Sequence, residues 1–200
     1  MEYWDLFDRD RKPLGVTHPR GRQYPMPRGS YHTVVMIITA DRDGRVLVTR
    51  RAPTKGMYPD CWEITCGSAV AGEDSRTAAA RELCEETGIS LSDKAVLLET
   101  LVVPQAFMDV YLNRLDAAAE DVTVTLQEGE TVDYRWVSLY ELDRMINRGE
   151  LPPPVAMRCG CVRNALIDII GWDRWAEGEP DGVSPDAPVG QPKTTKEDEA

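Results

Sequence analysis

The chain alternates between segments with every second or every position apolar and segments with apolar positions at helical spacing. Residues 31–40, "YHTVVMIITA", are rich in β-branched residues and nearly continuous in apolar character. That pattern predicts a strand buried on both faces. "DRDG" (41–44) makes a turn, and "RVLVTRRA" (45–52) is the partner strand. "PTKGMYPD" (53–60) reads as loop and "CWEITCG" (61–67) as one short strand. Further strands follow at 95–103, 107–115 and 132–139. Upstream, "EYWDLFD" and "RDRKPLG" predict strand–turn–strand, and 21–30 carries two prolines and two glycines and reads as loop.

Three segments take the helical period. The first is predicted over 75–87, with Asp74 or Ser75 as N-cap and Gly88 as the C-cap glycine. The second covers 139–149 and ends on Gly149. "LPPP" (151–154) breaks the chain, and the last helix runs over 155–172, with Val162, Leu166, Ile169 and Ile170 on one side. The layout predicts one domain of the α/β (α+β) class, a mixed sheet with helices packed on it. Residues 1–29 form an N-terminal hairpin and loop, 30–172 the domain proper, and 176–200 an acidic tail expected to be disordered.

Charge narrows the choice of function. The chain carries a net −11; seven acids against two lysines after Ala176 account for −5 of it and leave −6 for the first 175 residues. An acidic surface argues against a nucleic-acid polymer as partner. It allows a small phosphorylated substrate held through a divalent cation. No apolar run approaches the roughly 20 residues that span a membrane, and the N-terminus has no secretory signal. The five cysteines are odd in number and none forms a CxxC pair, which is consistent with a reduced, cytoplasmic protein. Cys159-Gly-Cys161 reads as structural thiols rather than half of a zinc site.

The segment that departs from ordinary composition is "GSAVAGEDSRTAAARELCEETGI", Gly67 to Ile89. Glu82, Glu85 and Glu86 crowd the C-terminal end of a helix, where mutual repulsion and the helix dipole both oppose them. At about 100° per residue the three fall within an arc of roughly 100°. Ala80, Leu83, Cys84 and Thr87 fall on the opposite side and would face the sheet. Grouped carboxylates are hard oxygen ligands that suit Mg²⁺ or Mn²⁺. A solvated acidic helix end is the alternative reading of the glutamates alone.

The spacing weighs for the metal. Gly67, Glu73, Arg81-Glu82, apolar Leu83, Glu85-Glu86, Gly88 and apolar Ile89 stand where the Nudix box has its fixed positions. The segment resembles that box throughout, and the flanking strands and helix look like the Nudix fold, a mixed β-sheet sandwiched between helices. The resemblance implies that Glu82, Glu85 and Glu86 ligate Mg²⁺ or Mn²⁺. It implies that Glu82 or Glu85 activates water, and that Arg81 and Glu73 form a positioning pair. A backbone carbonyl at the Cys66–Gly67 strand end would also reach the metal. The reaction implied is hydrolysis of a diphosphate linkage in a small-molecule substrate. Members often recruit a further acid from a later loop, for which Glu128 and Glu130 are candidates, and dimers are common among them.

"LVTRRAPTKGMYPDCW" followed by Cys66-Gly67 also resembles the isopentenyl-diphosphate isomerases, which share the fold, and the opening "WDLFDRDRKPLGVTHPRG" is similar to the isomerase-like subgroup of Nudix hydrolases. In the isomerases a cysteine at the position of Cys66 is catalytic and a histidine at the position of His32 binds metal. This chain departs from that pattern. Ser68 replaces the histidine after Cys-Gly, and Pro25 stands where a second upstream histidine is expected. Asp109 is the only acid on the later strand. The expectation is therefore a Mg²⁺-dependent Nudix hydrolase. An isomerase working through Cys66 and a non-catalytic nucleotide-sensing Nudix module are the alternatives. Cys66 and His32 read more simply as a buried thiol and a structural histidine. Arg50, Arg51 and Lys55 stand where they could reach phosphates. Tyr58, Trp62, Phe107 and Tyr111 read as core or rim packing, with base stacking the alternative.

Overall fold

The computed structural model describes residues 1–21 and 23–171. The sheet is organised around the apolar run at 31–40, which forms β3 (His32–Ala40). Alternate side chains of β3 point to opposite faces, and both faces are covered. Val35 and Ile37 meet α1 (Ser75–Thr87) through Ala78, Ala79 and Leu83. Met36 and Ile38 meet α2 (Leu139–Asn147) and α3 (Pro153–Ile170) through Leu142, Met145, Val162 and Leu166. This is a mixed sheet between helices. β3 runs parallel to β8 (Ala106–Arg114) along its whole length, and β8 pairs antiparallel with the edge strand β7 (Val96–Val103).

On its other side β3 touches β4 (Val46–Arg51) at a single register pair, Ala40↔Val46. Beyond that point the two strands splay. The segment expected as one strand at 61–67 fills the gap as two. β5 (Trp62–Glu63) pairs with β4, and β6 (Cys66–Ser68) pairs with β3. Ile64, fully buried, turns into the core between them. A two-residue and a three-residue strand with different partners cannot be told from one strand by periodicity. β9 (Thr131–Val137) closes the far side of β4.

Helix α3 differs from the sequence pattern in its start and in its buried face. The prolines after Leu151 open α3 instead of stopping the chain: Pro153 and Pro154 occupy its first turn, where no backbone N–H is needed. On α3 the face toward the sheet runs through Cys159, Val162, Leu166 and Ile170 and is flanked by Ile167, while Ile169 is 38% exposed. The expected acidic tail at 176–200 and Trp172 lie outside the described residues.

The N-terminal hairpin, β1 (Tyr3–Phe7) and β2 (Pro13–Pro19), docks on the domain. Phe7 and Tyr31 exchange backbone hydrogen bonds, the Ala71 N–H donates to the Tyr3 carbonyl, and the Gly72 N–H donates to Asp5. Arg11 reaches from the hairpin turn to Asp109 on β8, donating from Nη1 to Oδ1 (2.8 Å) and from Nη2 to Oδ2 (2.5 Å). The Thr100 hydroxyl donates to the same carboxylate at 2.6 Å. Burial would raise the Asp109 pKa, but the hydrogen bonds from Arg11, Ser75 and Thr100 outweigh it and hold the carboxyl below its ordinary value. Asp109 is thus a structural anchor. Among the described residues no helix is long and apolar enough to cross a membrane.

Candidate active site

The gap between β3 and β4 brings a strand end against α1. Asp74 caps that helix by accepting from the Thr77 N–H at 2.7 Å, and Gly88 ends it in the left-handed conformation at φ 71°. The buried face is shifted from the predicted one: it holds Ala78, Ala79, Glu82, Leu83 and Thr87, while Cys84 is exposed. Glu82 therefore belongs to the packed side. The reason is Gly67, since a Cβ built there would overlap the Glu82 carboxylate. The missing side chain is the cradle in which Glu82 lies.

Arg81 organises the carboxylates. It grips Glu73 with two bonds, Nε to Oε1 at 2.8 Å and Nη2 to Oε2 at 2.9 Å, a fork geometry with strong orientation. Its Nη1 donates to Glu82 at 3.0 Å and to Glu85 at 3.2 Å, and Nη2 donates to the Ser68 carbonyl at 3.1 Å. Glu73 also accepts from the Val70 N–H at 3.0 Å. The guanidinium holds the Glu73 carboxyl below its ordinary pKa. Burial pushes Glu82 upward against the opposing pull of Arg81. One arginine thus ties the strand end, the loop and the helix together.

Glu86 lies deeper. Its Oε2 is shut off from solvent and has no hydrogen-bond partner. Burial, followed by the charges of Glu63, Glu82 and Glu130, pushes its pKa up to about 8. Glu63, on β5, was missed by sequence reasoning, although residues 63, 65 and 67 share a face in an extended segment. Its own pKa is raised by burial against the salt bridge from Arg51 Nη1, 2.5 Å away. Lys55 pairs with Glu130. Of the two later-loop acids, Glu130 joins this rim and Glu128 stays exposed.

A buried carboxylate with an orphaned oxygen, surrounded by acids, is unfavourable unless a cation joins it. The donors are all oxygens, and their chemistry fits Mg²⁺ or Mn²⁺ better than a softer metal. Glu82 and Glu85 here turn toward Arg81. Among the described residues no three acid, histidine or cysteine side chains already form a closed ligand set. The titration of Glu86 gives a test. Its ordinary pKa is 4.5 and its folded value is about 8. The folded state holds the proton more tightly, so its contribution is full below 4.5 and is lost as pH rises toward 8. In EDTA, wild-type stability should fall across that window relative to Glu86→Gln, and Mg²⁺ should restore it. Thermal melts of both proteins check this.

The remaining predicted residues divide clearly. The Cys66 residue keeps some exposure, but its thiol is enclosed and burial pushes it up to about 12. His32 stacks on Trp4 with centroids 4.0 Å apart, and burial lowers its pKa to about 4. It is a neutral packed ring. Arg50 pairs with Asp60 at 3.3 Å, away from the glutamates. Trp62 is buried under Arg135, Phe107 is buried beside Tyr31, and the Tyr111 hydroxyl lies 2.6 Å from Ser75 Oγ. Tyr58 is exposed in its loop at φ 49°. Cys159 is buried and Cys161 exposed, so the two do not share a site.

The NUDIX domain family model matches residues 30–155. An uncharacterized Nudix hydrolase of Listeria monocytogenes is 32% identical over 155 residues, 76% of this chain and 89% of its own. An isopentenyl-diphosphate Delta-isomerase of Cutibacterium acnes is 32% identical over 156 residues, covering 70% and 76% of the two chains. A prenyl-diphosphate phosphatase of Methanosarcina mazei is 27% identical over 137 residues, covering 66% and 78%. Among solved structures, DR0079 of Deinococcus radiodurans shares the fold with a TM-score of 0.63 at 23% identity, over 79% of this chain and 99% of that one.

Proposed function

From the premise that this chain belongs to the NUDIX domain family and is a Nudix-type hydrolase, we propose that it cleaves a diphosphate linkage in a nucleoside diphosphate-X or another organic diphosphate, with Mg²⁺ or Mn²⁺. The observation that carries this reading is the buried, unpartnered Glu86 oxygen beside Glu82 in its Gly67 cradle. Glu82, Glu85 and Glu86, with a backbone carbonyl at Cys66 or Gly67, would hold the cation. When bound, it supplies charge neutralisation at phosphate oxygens and acidifies a water.

The chain's own residues do the rest. Arg81, gripped by Glu73, positions Glu82 and Glu85 beside the strand end before a cation joins them. Either Glu82 or Glu85 takes the proton of the attacking water, and Glu85 is the more open of the two, with its side chain 48% exposed. Arg51 and Lys55 sit at the same rim, balanced by Glu63 and Glu130, and give the phosphates positive partners.

The likeness to an isopentenyl-diphosphate isomerase favours a second reading through Cys66. Enclosed and pushed up to about 12, the thiol is no thiolate nucleophile, and Ser68 and Pro25 stand where the isomerase pattern has its further histidines. Cys66→Ser should lower hydrolysis by less than about tenfold, well short of the ~100-fold or more that an acid–base group supplies.

The test is phosphate release from a panel of nucleoside and prenyl diphosphates with Mg²⁺, Mn²⁺ or EDTA. Metal-dependent release from at least one class is expected. Binding without turnover across the panel would instead support a sensing module.

A further inference from the structure

The N-terminal hairpin precedes the family-matched segment and takes no part in the chemistry described so far. It nevertheless touches the loop that carries Glu73. The Gly72 N–H donates to Asp5 Oδ2 at 2.7 Å, and the Ala71 N–H donates to the Tyr3 carbonyl at 2.7 Å. Gly72, left-handed at φ 87°, turns the loop so that these two donors meet β1. The β1–β2 pairing shifts register between Asp5 and Phe7, an irregularity of the kind that re-aims a side chain. Among the described residues the Asp5 carboxylate has no other partner.

The same loop ends on Glu73. The Val70 N–H donates to Glu73 Oε2 and the Glu73 N–H donates to the Val70 carbonyl, each at 3.0 Å, so residues 70–73 close into one turn with Ala71 and Gly72 in its middle. That turn presents the Glu73 carboxylate to the Arg81 fork. A continuous run of hydrogen bonds therefore leads from Asp5 through Gly72 and Glu73 to Arg81. Its hairpin end is fixed to the domain by the Phe7–Tyr31 backbone pair and by Arg11 on Asp109.

Glu73 governs what Arg81 does when a cation arrives. Arg81 donates to Glu73 and the Ser68 carbonyl, and also to Glu82 and Glu85. Held by the first two, the guanidinium stays in place as Glu82 and Glu85 turn to a cation. With Glu73 loose, it is free to follow the two carboxylates and to compete with the cation for them. We propose that Asp5 is a positioning residue of the glutamate cluster: by tying the 70–73 turn to the hairpin it holds Glu73, and through Glu73 it holds Arg81. Its consequence for the cation rests on the metal reading of Glu82, Glu85 and Glu86.

The test compares the full chain as wild type, Asp5→Ala, Asp5→Asn and Asp8→Ala. Asp8 accepts from the Asp10 and Lys12 N–H groups in the hairpin turn, so Asp8→Ala loosens the hairpin and leaves the Gly72 contact intact. The first readout is metal-free: exchange of the Arg81 Nε–H with water, followed by ¹⁵N NMR and assigned by its absence from Arg81→Lys. Exchange should be at least about threefold faster in Asp5→Ala and unchanged in Asp8→Ala. Asp5→Asn, whose amide oxygen accepts the same N–H, should restore the wild-type rate. The second readout is calorimetric Mn²⁺ affinity. Loss of a partner directly behind a metal ligand weakens binding about 10- to 100-fold. Asp5 stands further back, and Asp5→Ala should bind Mn²⁺ at least about threefold more weakly, with Asp5→Asn and Asp8→Ala at the wild-type value. The melting temperature of Asp5→Ala should stay within about 3 °C of wild type, since the other hairpin contacts remain. Unchanged Arg81 exchange in Asp5→Ala, faster exchange with unchanged Mn²⁺ affinity, no rescue by Asp5→Asn, or equal losses in Asp8→Ala overturns the proposal. Wild type that binds no Mn²⁺, with Arg81 exchange still faster in Asp5→Ala and rescued by Asp5→Asn, defeats the metal reading alone.

Discussion

Replacing Glu86 by Gln should lower kcat/KM for any diphosphate substrate by on the order of 100- to 1000-fold, the scale on which a single preorganised charge contributes. The substitution keeps shape and removes charge. Its effect on stability should have the opposite sign. Glu63, Glu82 and Glu130 act on the Glu86 carboxylate, one oxygen of which is closed to solvent and has no partner. Metal-free Glu86→Gln at pH 8 should therefore be as stable as wild type or about 1 kcal/mol more stable. Activity lost while stability is kept or gained is the mark of a residue retained for function. A side chain holding the fold together would lose both. Glu85→Gln should match the activity loss without the stability gain, because Glu85 is exposed and already paired with Arg81. Steady-state kinetics and denaturant melts on the two variants decide between these cases.

Gly67→Ala should be nearly as damaging, through a side chain that is not itself an acid. Gly67 needs no left-handed backbone, so the effect does not come from strain. An added Cβ would overlap the Glu82 carboxylate, and Glu82 is buried with strand on one side and Arg81 on the other. The carboxylate must leave its cradle. Overpacking of this kind costs about 1–3 kcal/mol, which a domain of this size survives. The displaced Glu82 should weaken Mg²⁺ affinity and cut kcat/KM by about 100-fold, while melts show a folded protein. Gly67→Ala with normal turnover would mean that Glu82 is a packing residue.

The mutual placement of the glutamate trio and the caps of α1 could be read from sequence because their geometry is local, whereas the Arg81–Glu73 pair came only from the resemblance. Helical rotation fixes Glu82, Glu85 and Glu86 relative to one another whatever the rest of the chain does. The splayed strands were not legible in this way. "CWEITCG" carries one apolar pattern but serves two partners, β4 and β3, and only the divergence after Ala40↔Val46 creates that need. The orientation of α1 went astray for a related reason. The wheel placed Glu82 outward because no periodicity encodes an absent side chain at Gly67 making room for a buried carboxylate. Arg11–Asp109 and Arg51–Glu63 are contacts between separate segments. Each residue looks like an ordinary surface charge until the fold brings its neighbour near.

The central claim is that α1 and the Cys66–Gly67 strand end together bind a divalent cation. Anomalous scattering from crystals soaked in Mn²⁺ tests it most directly. The account predicts a manganese peak among the carboxylate oxygens of Glu82, Glu85 and Glu86, with Glu82 and Glu85 drawn away from Arg81. A map with no peak there, both acids still held by Arg81 and Glu86 still without a partner, would contradict it.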